Sequence, residues 1–218
     1  MSPVRKKTGT RRRRAARDAA GSADLVALER FLRSIGITPS NDPEYAETAR
    51  LAGAFLAGRA AGLGAKPHPL RALRYRGRVG ATVALEAIPV YGLCPHHLVP
   101  YFGFATVRYA PLGRVAGAGD LARLVRELAR APRLQEDLTE AVADELDRAL
   151  TPRSVEVRVE ARHLCIEMRG VEQRAQFVTE ARRGEAAESL VPVRGARRAT
   201  PRARAVRPRP PRARSRPH

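Results

Sequence analysis

The chain has 218 residues, 44% of them hydrophobic, and a formal charge of +19, enough for one ordinary domain with terminal extensions. Eight Lys/Arg and no acid lie in residues 1–17, and ten Arg and no acid in 194–218, so residues 18–193 carry 23 basic and 22 acidic side chains and are nearly neutral. Two cysteines exclude a disulfide framework, no apolar run approaches the roughly 18 residues of a membrane span, and the basic start lacks the apolar stretch of a secretory signal, so the cytoplasm is the expected setting and no membrane the expected partner.

Residues 1–22 read as a disordered basic tail. Leu25, Leu28, Phe31 and Leu32 then recur at helical spacing until Gly36 and Pro39 break the pattern. Ser40-Asn41-Asp42-Pro43 reads as a second helix start, with Leu51, Ala52, Phe55 and Leu56 on one face up to about Arg59. Residues 60–78 read as loop. Val79–Val90 alternates as a strand with an edge or bulge at Pro89, and Phe102–Tyr109 is a second strand, followed by a turn at Pro111-Leu112-Gly113.

Two helices are predicted at about 119–131 and 134–150, parted by Pro132 and stopped at Thr151-Pro152. Ser154–Glu160 alternates strictly and is a strand, with Cys165–Val171 as its expected partner. The order is strand–strand–helix–helix–strand–strand, an α+β layout after N-terminal helices. The domain is expected over 23–181, with helices in 23–60 and the core in 79–175. Residues 182–218 read as a disordered Arg/Pro/Ala tail. Both tails have almost no aromatic residues, so any nucleic-acid binding through them would be non-specific and salt-sensitive.

Both cysteines lie in short motifs that also hold three of the five histidines: Cys94-Pro95-His96-His97 and His163-Leu164-Cys165. Two thiolates and an imidazole form a donor set that zinc accepts. Three protein ligands leave a position for water, whose pKa falls towards about 7; a fourth ligand, His96 or His163, would close the site as a structural one. A spare imidazole beside such a metal suits proton transfer in a hydrolysis. The plain alternative is buried free thiols with surface histidines.

Tyr91-Gly92-Leu93-Cys94-Pro95-His96-His97-Leu98-Val99-Pro100-Tyr101-Phe102-Gly103 resembles the zinc signature of GTP cyclohydrolase I, Cys-Glu-His-His-Leu-x-Pro-Phe-x-Gly. Leu121-Ala122-Arg123-Leu124-Val125 resembles that family's Leu-Ala-Arg-hydrophobic-Val. Gln135-Glu136-Asp137-Leu138-Thr139 resembles Gln-Glu-Arg-Leu-Thr. Glu160-Ala161-Arg162-His163-Leu164-Cys165 with Met168-Arg169-Gly170-Val171 resembles Glu-Ala-x-His-hydrophobic-Cys…Met-Arg-Gly-Val. The likeness spans roughly residues 40–180, in order and at comparable spacing.

The resemblance implies the tunnelling fold, assembled as a homodecamer with sites between subunits. It implies that water opens the imidazole ring of GTP at carbon 8, that formate leaves, and that the ring recloses to 7,8-dihydroneopterin triphosphate, which begins tetrahydrofolate synthesis. Zn(2+) would be held by Cys94, His97 and Cys165, and His96 and His163 would move protons. Glu136, with Gln135, would read the guanine edge, and Arg50, Arg123 and Arg169 would bind the triphosphate, to which a planar guanidinium is suited.

The chain departs from the family pattern at three places. Pro95 replaces a glutamate, Gly119-Asp120 stands where the family has Ser-Lys, and Gly53 stands where it has a phosphate-binding lysine. The expected phosphate cradle loses one positive charge at Gly53 and two units at Asp120. Alternative readings are therefore a related zinc enzyme acting on another guanine nucleotide or nucleoside, and a non-catalytic relative with a binding role.

Overall fold

A computed structural model describes residues 24–77 and 80–185 of the chain, and the expectations for tails 1–22 and 186–218 lie outside them. Two helices come first: α1 (Leu25–Ser34), capped by the Asp24 side chain, and α2 (Thr48–Ala60), entered through a 3-10 turn at Pro43–Glu47. Asp42 caps that turn and Pro43 occupies its first position, as the Ser-Asn-Asp-Pro run predicts. Gly53 is buried where α1 crosses α2; a Cβ there would fall 2.9 Å from a Leu25 methyl. Val26, Phe31, Leu51 and Phe55 of this helix pair remain exposed.

The core is a four-stranded antiparallel sheet of β2 (Val83–Leu93), β3 (Pro100–Ala110), β5 (Ser154–His163) and β6 (Phe177–Gly184), in that spatial order. Two further short strands, β1 (Ala72–Arg74) and β4 (Arg114–Ala116), pair with each other. The first of these lies within the stretch expected to be loop. Helices α3 (Ala118–Leu128) and α4 (Gln135–Leu150) lie between β4 and β5 in the chain. The order is the expected strand–strand–helix–helix–strand–strand of the tunnelling fold.

Alternation decides which sheet face is covered. Val90, Ala105, Val107, Tyr109, Val155, Val157, Val159 and Ala181 point to the helices and are buried. Leu121, Leu124, Val125 and Leu128 of α3 and Leu138, Val142, Leu146 and Leu150 of α4 share their core cluster. The other face carries charge: Arg108 bonds Glu86, Arg158 bonds Glu160 and Glu180, and Arg182 bonds Glu156. A register shift between Leu85 and Ile88, with Ala87 at φ 55°, forms the bulge expected near Pro89.

The expected strand at Cys165–Val171 is incorrect. Leu164–Glu167 forms a short helix, α5, and the chain then turns through Gly170 (φ 67°) and Glu172 (φ 48°). Met168 and Val171, which gave that stretch its apolar look, are 70% and 65% exposed. The true partner of β5 is β6, which runs three residues beyond the expected domain end at 181. Its inward positions are Thr179, Ala181 and Arg183, too small or polar to mark a strand by hydrophobic alternation. Among the described residues no helix is long and apolar enough to cross a membrane.

Candidate metal centre

β2 and β3 are joined by a six-residue loop, Cys94–Val99, because Leu93 pairs with Pro100. The Cys94 N–H donates to the Val99 carbonyl at 3.0 Å, and the Leu98 N–H donates to the Cys94 carbonyl at 2.9 Å. The second bond wraps one helical turn around Pro95-His96-His97, and Leu98 leaves it at φ 53°. Pro95 is the first residue inside that turn. Its fixed φ suits a turn position, and its missing N–H breaks no bond there.

The second motif comes from the end of β5. His163 is the last strand residue and Cys165 lies in α5, buried. The change from strand to helix at this point brings the cysteine to the hairpin loop. One ligand atom from each of Cys94, His97 and Cys165 lies within 4.8 Å of the others, with both cysteines buried and His97 exposed. Cys94 Sγ is 3.6 Å from His97 Nδ1. A tetrahedral ion with bonds of about 2.3 Å to sulfur and about 2.0–2.1 Å to nitrogen sets adjacent donors close to that far apart. The residues therefore fit zinc in donor type and spacing.

The electrostatics point the same way. Burial pushes the Cys165 thiol up, and the neighbouring Cys94 sulfur pushes it further. Two adjacent sulfurs resist becoming thiolates together unless a cation shares them. His96 Nδ1 lies 3.8 Å from Cys94 Sγ, but His96 is exposed and outside the three-ligand group.

His163 is held by its surroundings. Its ring stacks on Tyr101 at 4.8 Å between centroids and 11° between planes, and meets the Phe177 edge at 5.4 Å. Its Nε2 lies 2.9 Å from Gln135 Oε1. The Gln135 amide nitrogen donates to the Val159 carbonyl at 3.0 Å, to the Phe177 carbonyl at 3.2 Å and to Thr179 Oγ1 at 3.1 Å. With the amide so oriented, its oxygen must accept from His163 Nε2–H, which leaves Nδ1 as the proton-accepting nitrogen. Burial holds the imidazole below its ordinary pKa, against the opposing field of Glu136. Gln135 itself is 1% exposed, so of the pair expected at the guanine edge only Glu136 faces outward.

The three expected phosphate arginines are exposed and lie on different elements. Arg50 Nε bonds Glu47 Oε2 at 2.5 Å, and Arg123 Nη1 bonds Asp120 Oδ1 at 2.7 Å. Asp120 thus reaches back to the arginine one helical turn away. Arg169 Nη1 sits 2.5 Å from His97 Nε2, which ties the end of the second motif to the first. Tyr101, which spacing alone did not mark, stacks on His163 and stands where the resembled signature has phenylalanine.

Comparison with known proteins gives one consistent picture. A sequence profile described as GTP cyclohydrolase I matches residues 26–191. GTP cyclohydrolase 1 of Thermobifida fusca (strain YX) is 43% identical over 166 residues, covering 75% of this chain and 80% of that protein. GTP cyclohydrolase 1 of Streptococcus thermophilus (strain CNRZ 1066) is 51% identical over 92 residues, covering 42% of this chain and 49% of that one. The Geobacillus kaustophilus protein of the same name is 49% identical over 104 residues, covering 47% and 55%. The chain thus spans four fifths of the first relative's length and about half of the other two.

Proposed function

The chain belongs to the GTP cyclohydrolase I family of enzymes, and from that premise we propose that it opens the imidazole ring of GTP by hydrolysis, releasing formate and forming 7,8-dihydroneopterin triphosphate. The observation that carries this reading is the cluster of Cys94, His97 and Cys165 with His163 fixed one strand away. These three residues would hold the Zn(2+), which supplies Lewis-acid activation of water at neutral pH.

The remaining work falls to the chain's own side chains. Gln135 fixes His163 with Nδ1 as the basic nitrogen, and the Tyr101 ring holds the imidazole plane, so proton transfer needs no search for orientation. His96, exposed on the hairpin loop, serves the second proton transfer. Glu136 offers two acceptor oxygens to the adjacent N–H donors of guanine. Arg50, Arg123 and Arg169 take the phosphates. A homodecamer in the cytoplasm, where thiols stay reduced, is the proposed setting.

A second reading is favoured by one observation. Arg50 and Arg123 each carry an intramolecular carboxylate partner, so the site grips a triphosphate less firmly and accepts a guanine compound with fewer phosphates. One experiment tests both. Zinc-loaded protein is incubated with GTP, GMP and guanosine, and formate and pterin fluorescence are measured. Turnover of GTP supports the first reading, turnover of GMP or guanosine at least equal to that of GTP supports the second, and silence on all three sinks both.

A further inference from the structure

Among the described residues, four buried side-chain polar atoms have no hydrogen-bond partner: Arg59 Nε, Tyr101 Oη, Arg108 Nε and Arg133 Nε. Three of these four belong to residues that meet at one stretch of β2, Tyr91-Gly92-Leu93. Arg59, in the last turn of α2, donates from Nη2 to the Tyr91 carbonyl at 2.8 Å and to the Ala129 carbonyl at 2.7 Å. Arg133 donates its backbone N–H to the Leu93 carbonyl at 3.1 Å. Tyr101 pairs with Gly92, and a Cβ on that glycine would fall 2.0 Å from Tyr101 Cζ and 2.4 Å from its hydroxyl oxygen. The ring therefore reaches across β2 over Gly92, and its hydroxyl ends among the residues that flank this strand.

Such an arrangement needs a reason. Buried polar groups are nearly always paired, and each one left unpaired costs about 1–3 kcal/mol. Tyr101 is wholly buried, so its hydroxyl stays unpaired unless a small ligand is enclosed with it. The two unpaired guanidinium nitrogens are donors only, and the hydroxyl can donate as well. Arg59 and Arg133 both act on Tyr101 electrostatically, and Arg130 acts on Arg59. Burial and the Arg130 charge work against Arg59 as a cation, so a negative partner would relieve both it and the unpaired donors. The nearby acid, Glu136, is exposed at the start of α4 and bonds none of the three unpaired atoms.

We propose that Arg59 Nε, Arg133 Nε and Tyr101 Oη form a binding site for a small oxyanion, behind the metal motif and separate from the substrate arginines Arg50, Arg123 and Arg169. A neutral ligand would satisfy the donors but leave the charge, and a cation is excluded by the guanidinium groups. Leu93 leads directly into Cys94, so an anion held here would also stiffen the strand end that carries the first metal ligand.

The test uses the full-length, zinc-loaded chain at fixed ionic strength. Inorganic phosphate and acetate are titrated in parallel by calorimetry and thermal melting; the pair tells a tetrahedral from a planar oxyanion. A saturable binding component that raises Tm and depends on Arg133 and Tyr101 is expected. Arg133→Gln and Tyr101→Phe should each weaken it roughly tenfold or more, the worth of a charge-assisted hydrogen bond. Arg123→Gln should remove only phosphate held by the substrate arginines and leave this component unchanged, which separates the two sites. The Arg-rich ends are common to all variants, so differences between variants report the site. In anion-free buffer Tyr101→Phe should be at least as stable as the parent, which separates loss of ligand from loss of fold. Saturable binding that neither Arg133→Gln nor Tyr101→Phe weakens overturns the site. So does the absence of saturable binding by either ion, or a crystal structure grown in phosphate with only water on the Tyr101 hydroxyl.

Discussion

Gln135 Oε1 accepts a hydrogen bond from His163 Nε2 at 2.9 Å, and the same amide spends its nitrogen on β5 and β6. A residue expected at the substrate therefore sets the tautomer of His163, the histidine proposed to transfer protons. Gln135→Ala should lower kcat roughly ten- to hundredfold, the cost of a misplaced catalytic group. KM should change little and zinc content should stay at the parent level. Steady-state kinetics with metal analysis on the same preparation checks this. A raised KM with intact kcat would return Gln135 to substrate contact.

Metal removal gives a second expectation. A chelator should abolish formate release, and added Zn(2+) should restore it. Cys165→Ala should lose the metal, because the remaining pair Cys94 and His97 come from a single turn and would offer an ion only two protein donors. His163→Ala should keep its zinc while losing turnover. Zinc stoichiometry by atomic absorption distinguishes the ligand from the proton carrier.

Asp120 gives a prediction about charge. It bonds Arg123 at 2.7 Å, and its own charge opposes a triphosphate. Both side chains are partly exposed, so the pair itself is worth little, about 1 kcal/mol or less. Reversing the charge in Asp120→Lys should lower KM for GTP roughly tenfold and leave guanosine unchanged. Equal effects on both substrates would show that Asp120 acts on the fold of α3 rather than on phosphate.

Most of this arrangement was legible in the sequence where periodicity and chemistry coincide. Ser154–Glu160 alternates strictly because one face packs on α4 while the other carries a salt-bridge ladder. The two metal motifs were legible because cysteine and histidine are scarce in this chain. The partner of β5 was not, because β6 contacts the core through Thr179 and Ala181 rather than through large apolar side chains. Gly53 stands where the resemblance puts a phosphate-binding lysine, and the structure adds a packing reason: Leu25 sits where a side chain would start. The role of Gln135 was hidden because a buried amide and a substrate-facing amide look alike in sequence; only the carbonyls of Val159 and Phe177 decide between them.

Tyr101 carries the last prediction. Burial pushes its hydroxyl up from 10.0 to about 12, and Arg133 and Arg59 only partly offset this. The unfolded chain gives up the same proton near pH 10, so above that pH the unfolded state binds fewer protons than the folded one. The stability tied to the neutral phenol is fully present below pH 10 and is lost as pH rises towards about 12. The loss approaches about 2–3 kcal/mol at the upper end. Tyr109, also raised by burial, adds a loss of the same sign. Urea unfolding of the parent and of Tyr101→Phe at about pH 8 and about pH 11 isolates the Tyr101 share, since Tyr109 is common to both. The parent should lose more stability between the two conditions than the variant does. Equal losses would mean that the Tyr101 hydroxyl ionises as readily in the folded protein as in the unfolded chain.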